Sequence, residues 1–375
     1  MPQYNFFLGN HPALSTAEIK AVFSAEDVNY EITGKKGKNL FVSTDKKINS
    51  LKIMDKLGGT IKIARAVDKK KDTVSDIVDF LQNTQSEGKI QFSLSGADQK
   101  DALKIKKILK ETGRNVRYVE IKNTASIIHN NLVEKQGDLS MIDGLIFVTE
   151  AVQPIEELSR RDFGRPGSDS LSGMLPPKLA RIMINLADAP FASKILDAFC
   201  GSGTILTEAI AMGYKNIFGS DLSERAIEDT ETNIQWYLQE KNLNDIKYKL
   251  FLSDAANLDN VIEKNSIQAI ISEPYMGKPL HGNEGKIYIL KQTEELAQLY
   301  INSFKTLHKI LRQDGSIIFI IPTFKIKNEL VKIDCIDEIK KIGFNVEPLS
   351  EESPFLRYGR EGQHLARDVW KFVKK

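Results

Sequence analysis

From Lys194 onward the chain repeats one pattern: a short apolar run, a turn, then a helix-like stretch. "KILDAF" leads to a helix expected over Gly203–Met212, "NIFGSD" to one from Ser223, and "YKLFLSD" to a short turn region. "IQAIIS" runs into "EPYMGKP" and a long helix near Leu290–Leu311, and "GSIIFIIP" into another helix. "FNVEPL" and "ARDVWKFV" close the chain. Continuous apolar runs suit strands buried on both faces, and their alternation with helices predicts an α/β fold with a doubly wound, mainly parallel sheet. Ligands on such sheets bind at the carboxyl ends of the strands, near the switch in strand order.

The part before Lys194 is less regular. Short strand-like pieces ("YNFFLG", "NLFVST", "TIKIARAV", "IQFSLSG", "NVRYVEI", "GLIFVTEAV") alternate with helical ones from Thr73, Asp98 and Thr124. "STAEIKAVFS" reads as a helix that Ser15 caps, with Glu18 completing a capping box. With 375 residues, 41% hydrophobic and 27% charged, the chain suits two or three domains with ordinary cores. "PIEELSRRDFGRPGSDSLSGMLPPK" is rich in Gly, Pro, Ser and Arg, lacks periodicity, and reads as a connector. Pro176 and Pro177 suit the start of the helix that follows it.

No apolar stretch is long enough to span a bilayer, and "MPQYNFFLGNHPALS" lacks the features of a secretory leader. Two cysteines, Cys200 and Cys335, make no disulfide framework, and no His/Cys cluster suggests a metal site. A reducing cytoplasm is the expected setting. His11, His129, His281, His308 and His364 show no ligand spacing and read as structural or surface residues. The net charge of +2 is uninformative, but Lys100–Lys122 is locally basic. Such a stripe suits either a solvated helix face or a phosphate backbone.

Four motifs carry chemistry. In "LDAFCGSGTILTEA" a strand ends at Asp197, Gly201 and Gly203 occupy the turn, and a helix starts near Thr204. The turn lets backbone approach a ligand at a helix N-terminus. Leu206 stands where a dinucleotide fingerprint has its third glycine, and no Gly-Lys-Ser/Thr follows. An acid at Asp197 would repel pyrophosphate but suits a cation, such as the ammonium and sulfonium of S-adenosylmethionine. Asp221 ends the next strand, about 20 residues on, where an acid takes ribose hydroxyls; Asp221 or Ser223 also suits a helix cap. Asp254 ends the third strand, where it could hold an adenine amino group with the Ala255 N–H, or simply form a turn. "IISEPYMG", residues 270–277, ends the fourth strand. Pro274 stiffens this loop, and Tyr275 offers a ring on which a flipped base could stack. Its alternative is an ordinary Pro turn. Cys200 suits the turn by its small size, and Arg160, Arg161 and Arg165 either contact RNA from the connector or solvate it.

In this order the motifs resemble those of the class I S-adenosylmethionine-dependent methyltransferases, over roughly residues 160–375. "GMLPPKLARIMINLA" and "YGREGQHLARDVWKF" are similar to segments of the THUMP-containing tRNA guanine-N2 methyltransferases, the archaeal and eukaryotic type acting on guanosine at position ten. "FSLSGADQKDALKIKKILKETGRNVRYVEIK" resembles part of a THUMP domain, an RNA-binding module. The resemblance implies a ferredoxin-like α+β domain over 1–55, a THUMP-like domain over 56–152, a linker over 153–172 and a Rossmann-like methyltransferase domain over 173–375. It implies methylation of the exocyclic N2 amino group of a tRNA guanosine, and that some relatives need a small activating protein subunit. It also implies that Asp197, Phe199, Gly201, Gly203, Thr204, Asp221, Leu222, Asp254 and Ala255 bind S-adenosylmethionine. Ser272, Glu273, Pro274 and Tyr275 would form the catalytic loop. The family's Asp or Asn falls on Ser272 and its first Pro on Glu273, so Glu273 is expected to supply the missing acid. The alternatives are an RNA-binding protein with a non-catalytic methyltransferase fold, or a methyltransferase for another amine on protein or small molecule. The missing third glycine and Asp197 disfavour a dinucleotide oxidoreductase.

Overall fold

Two sheets organise the chain in the computed structural model, which describes residues 1–67, 73–167, 174–280, 282, 284–326, 329–359 and 362–375. His281 and the middle of the expected connector, 168–173, lie outside the described residues. The contacts divide the chain into two units: Met1–Thr16 with Glu26–Ile155, and Ala17–Ala25 with Glu156–Lys375.

The chain runs β1 (Gln3–Leu8), α1 (Pro12–Ala25), of which Ala17–Ala25 groups with the second unit, β2 (Tyr30–Lys36), β3 (Asn39–Thr44), α2 (Ser50–Met54) and β4 (Thr60–Ala66). It continues through α3 (Thr73–Thr84), β5 (Ile90–Ser95), α4 (Gln99–Glu111), β6 (Val116–Tyr118), α5 (Thr124–His129), β7 (Asp138–Ile142) and β8 (Leu145–Val152). The strands form one sheet in the order β2-β3-β1-β4-β8-β7-β5-β6. Asp98 caps α4 and Asn123 caps α5, each accepting a backbone N–H at the helix start. Ser15 does not cap α1. The helix begins three residues earlier at Pro12, where a missing N–H is harmless, and the Ser15 hydroxyl donates instead to His11 O and Gly59 O.

The second unit opens with α6 (Ile155–Phe163), a helix where the composition suggested an aperiodic connector, and α7 (Pro177–Ala187). Then follow β9 (Lys194–Asp197), α8 (Thr204–Ala211), β10 (Asn216–Asp221), α9 (Glu224–Lys241), β11 (Lys247–Leu252), a 3₁₀ turn (Ala255–Asn260) and β12 (Ile267–Ser272). The chain ends with α10 (Lys286–Ile310), β13 (Leu311–Ile326), β14 (Glu329–Lys332), α11 (Ile336–Ile342), β15 (Phe344–Glu347), β16 (Phe355–Tyr358) and β17 (Leu365–Lys374). The sheet order is β11-β10-β9-β12-β13-β17-β15, with β14 on β13 and β16 on β17. Strands β11 through β13 are parallel, and β17 runs against β13 and β15. The doubly wound reading holds, and strand order reverses between β9 and β12. Strand β14 precedes the helix expected directly after β13.

The core of this unit lies between α10 and the sheet. The Phe304 ring meets Phe319 and Phe372 edge-on at 5.0 Å, and Phe344 at 5.4 Å. Gly219 explains how Leu206 replaces the third glycine of a dinucleotide turn. A Cβ at Gly219 would lie 2.6 Å from Leu206 and 2.8 Å from Leu250, so close helix-to-sheet packing depends on the strand glycine.

Candidate active site

The carboxyl ends of β9, β10 and β12, with the turn after β11, carry the expected acids. Asp197 ends β9, 1% exposed, and its carboxylate accepts the Phe199 N–H at 3.1 Å and a hydrogen bond from the Ser272 hydroxyl. Burial outweighs these donors, and the charges of Asp221 and Glu273 add to it, so the carboxyl is pushed up to about 8. Ser272 at the end of β12 is fully buried, and its Oγ also accepts the Ala198 N–H at 2.9 Å. The serine thus ties the two strands that flank the switch point.

Asp221 binds both sides of its turn. One oxygen accepts the Gly201 N–H and the other the Ser223 N–H, each at 2.9 Å. Ser223 is the cap of α9, accepting the Ala226 N–H. Asp254 caps the 3₁₀ turn through the Ala256 N–H. Ala255 beside it is buried, whereas Leu222 after Asp221 is 74% exposed.

In the glycine turn, Gly201 has φ +52° and Gly203 φ +78°. A Cβ on Gly201 would meet nothing within 4 Å, whereas one on Gly203 would lie 2.9 Å from Thr230. The first glycine therefore leaves open space, and the second allows α9 to pack close. Residues that sequence reasoning did not single out brace the turn. The Thr230 hydroxyl donates to Gly201 O at 2.7 Å, and the Asn233 amide donates to Ser202 O and Gly167 O at 2.8 Å. Thr204 is buried, with Arg165 Nη1 donating to its hydroxyl. Phe199 is half-buried, edge-on to Phe319. Cys200 is buried and its thiol is pushed well above the ordinary range by that burial, which suits a packing role.

Two of the three arginines of the expected connector, Arg161 and Arg165, are buried rather than solvated. Arg161 is 5% exposed and grips Glu208 through Nε at 2.5 Å, while Arg181 reaches the same carboxylate at 2.7 Å. Arg165 is buried, and Arg160 pairs with Glu240. The shared contacts of Glu208 join α6 to α7 and α8.

The loop after β12 brings Glu273, Pro274 and Tyr275 to the same edge. Pro274 is buried and Tyr275 is 56% exposed. Glu273 has a side chain 13% exposed, and its Oε1 accepts from Arg367 Nε at 2.5 Å. Burial raises the Glu273 carboxyl above its ordinary value against the pull of Arg367. Helix α10 holds the loop: the Tyr300 hydroxyl donates to Tyr275 O at 2.8 Å, and Gln292 accepts the Lys278 N–H at 3.1 Å. Gly277, at φ +92°, packs so closely that a Cβ would lie 2.5 Å from the Gln292 amide. The distances from Tyr275 to Tyr300 and from Glu273 to Arg367 along the chain hide both braces from a local reading of sequence.

Similarity to known proteins agrees with this arrangement. Residues 168–342 match the family model described as UPF0020, RMKL-like, methyltransferase domain. The tRNA (guanine(10)-N2)-dimethyltransferase of Methanothermobacter thermautotrophicus is 33% identical over 165 residues, 44% of this chain and 42% of that protein. The protein of the same name from Methanocaldococcus jannaschii is 35% identical over 108 residues, 28% of this chain and 29% of its own length. The chain thus spans less than half the length of either relative. The crystal structure of TrmN from Thermus thermophilus covers 100% of both chains with a TM-score of 0.53 at 16% identity, a likeness of fold. Over residues 168–342, then, the chain is similar to the methyltransferase domain of the RMKL-like UPF0020 family.

Proposed function

We propose that this chain methylates the exocyclic N2 amino group of a guanosine in tRNA, using S-adenosylmethionine. The observation that carries the reading is the meeting of the Asp197, Asp221 and Asp254 strand ends with a Glu-Pro-Tyr loop at the switch point of a methyltransferase domain. The named activity of the two archaeal relatives supports the substrate.

The residues fit the cofactor. A buried carboxyl pushed up to about 8 among other acids is stabilised by a cation, and the open side of Gly201 leaves room for one. Asp197 would face the ammonium, Asp221 the ribose hydroxyls, and Asp254 with Ala255 the adenine edge. Phe199, Gly201, Gly203 and Thr204 shape the turn, and Leu222 offers an exposed apolar surface. Bound there, S-adenosylmethionine supplies a methyl on sulfonium; as the amine lone pair forms the N–C bond, the S–C bond breaks and leaves a thioether.

The protein's own groups prepare the amine. Tyr275 stacks the base, and Pro274 with Tyr300 fixes the height of that ring. Glu273 accepts an amino hydrogen, raising lone-pair availability at nitrogen, and takes the released proton. Ser272 acts from behind, holding β9 and β12 together. Residues 1–55 and a THUMP-like 56–152 grip RNA by shape and phosphates, with α4 presenting exposed Lys104, Lys107 and Lys110. The setting is the cytoplasm, where tRNA is modified, and 173–375 forms the methyltransferase domain, with α6 packed onto it through Arg161 and Glu208. Among the described residues no helix is long and apolar enough to cross a membrane.

Isothermal titration with S-adenosylmethionine tests the site. The wild-type protein should bind, and Asp221→Ala should bind about tenfold or more weakly, since a charge-assisted hydrogen bond contributes roughly 1.5–3 kcal/mol. Absence of binding by the wild-type protein would sink the reading.

A further inference from the structure

The Glu273 carboxylate has an unusual setting for a group that must accept a proton. It is nearly buried, and among the described residues the charged or titratable groups facing it are Arg367 from β17, Asp197 from β9 and Tyr300 from α10. Arg367 is the only cation among them. Its side chain is 12% exposed, and it donates through Nε to Oε1 alone, leaving Oε2 without a hydrogen bond among the described residues.

The backbone of Arg367 is fixed on both sides. It pairs with Pro322 of β13 and Tyr358 of β16. Strand alternation sends its neighbour Asp368 to the other face, where Arg357 Nε and Nη2 grip it at 2.7 and 2.8 Å and the Thr323 hydroxyl donates at 2.6 Å. That second network satisfies Asp368 with its own cation, so Arg367 and Glu273 form a separate pair. The guanidinium thus sits on a rigid strand, and Glu273 sits on a turn that it can orient.

We propose that Arg367 is a positioning residue for methyl transfer: it clamps Oε1 and so presents Oε2 to the amino group of the base. This rests on the methyl-transfer reading above. Arg367 touches neither base nor cofactor in this role. The amine lone pair still forms the N–C bond as the S–C bond breaks, and the amine proton passes to Oε2. Without the guanidinium, burial beside Asp197 would drive Glu273 to take up a proton before the reaction, leaving it unable to accept another.

The test uses the full chain, S-adenosylmethionine and unmodified tRNA, comparing wild type with Arg367→Met, Arg367→Lys and Glu273→Gln across pH. Arg367→Met should lose about a hundredfold in kcat at neutral pH, the scale of a positioned acid–base group. Its cofactor affinity by calorimetry should stay near wild type. The loss should shrink at alkaline pH as Glu273 ionises, Arg367→Lys should recover part of it, and Glu273→Gln should stay slow at every pH. Urea unfolding gives a second readout. The carboxyl raised by loss of Arg367 makes the variant lose stability as pH rises, and Glu273→Gln added to Arg367→Met should remove that trend. An Arg367→Met protein with the wild-type pH profile, or with one uniform loss at all pH, would overturn the inference while leaving the methyl-transfer reading intact. A wild-type protein that binds cofactor but methylates no tRNA would overturn both.

Discussion

Asp197 is 1% exposed, with Asp221 and Glu273 as charged neighbours, and its carboxyl is pushed up to about 8. A carboxyl raised on folding contributes stability that is fully present below its unfolded value and lost as pH rises through the folded value. Cofactor binding inverts the preference, because a cation favours the ionised form. S-adenosylmethionine affinity is therefore expected to rise between pH 6 and 8 by up to about tenfold per unit, with proton release. Calorimetry in buffers of different ionisation heat reads this directly, and Asp197→Asn should abolish it. A pH-independent affinity with no proton release would show that Asp197 is already ionised. Gly203 supplies a structural counterpart. At φ +78° and against Thr230, Gly203→Val should cost at least about 1–3 kcal/mol in urea unfolding, and a neutral effect would mean the turn relaxes freely. The acids were legible in sequence because each ends an apolar run at a point where the fold rule expects a ligand. The Arg367 partner of Glu273 was not, since the pair is separated by 94 positions and depends on β17 lying beside β13.

At the scale of elements, hydrophobic runs located the strands that are buried on both faces, and their order followed from alternation with helices. The elements that escaped are those whose stability comes from partners. Strand β14 is short and pairs only at the end of β13; β16 depends on β17; β2 and β7 depend on their neighbours in the first sheet. Helix α6 lies in a Gly- and Arg-rich stretch that composition marks as loop, yet Arg161 and Arg181 converge on Glu208, 1% exposed, and Lys241 pairs with Glu157. Removing the shared carboxylate takes from two buried guanidinium groups their common partner, with Arg161 keeping Glu157 at 3.5 Å. Glu208→Ala should therefore destabilise the protein by about 3–5 kcal/mol in urea unfolding, whereas an effect near that of a surface pair, about 0–1 kcal/mol, would place the arginines in water.

At the scale of the molecule, the first unit carries its own buried network. Asp138, 1% exposed, accepts from Ser93 and Thr149 at 2.6 Å and from Lys62 at 2.9 Å, linking β4, β5, β7 and β8. The sequence showed strands and helices here but not that one sheet runs through the segments expected to form two modules, because β4 pairs with both β1 and β8. Helix α4 joins this sheet by its apolar face and exposes lysines on the other. Lys104→Glu, Lys107→Glu and Lys110→Glu together should weaken tRNA binding, and lower its dependence on salt, while leaving S-adenosylmethionine affinity unchanged. Unchanged RNA affinity would assign that face to solvent.

The most direct measurement of the central claim is transfer from labelled S-adenosylmethionine to unmodified bulk tRNA, followed by digestion and nucleoside mass spectrometry. The expected product is N2-methylated guanosine, lost in Glu273→Gln. A methyl group on a different nucleoside, or none on any nucleoside while the protein still binds the cofactor, would contradict it.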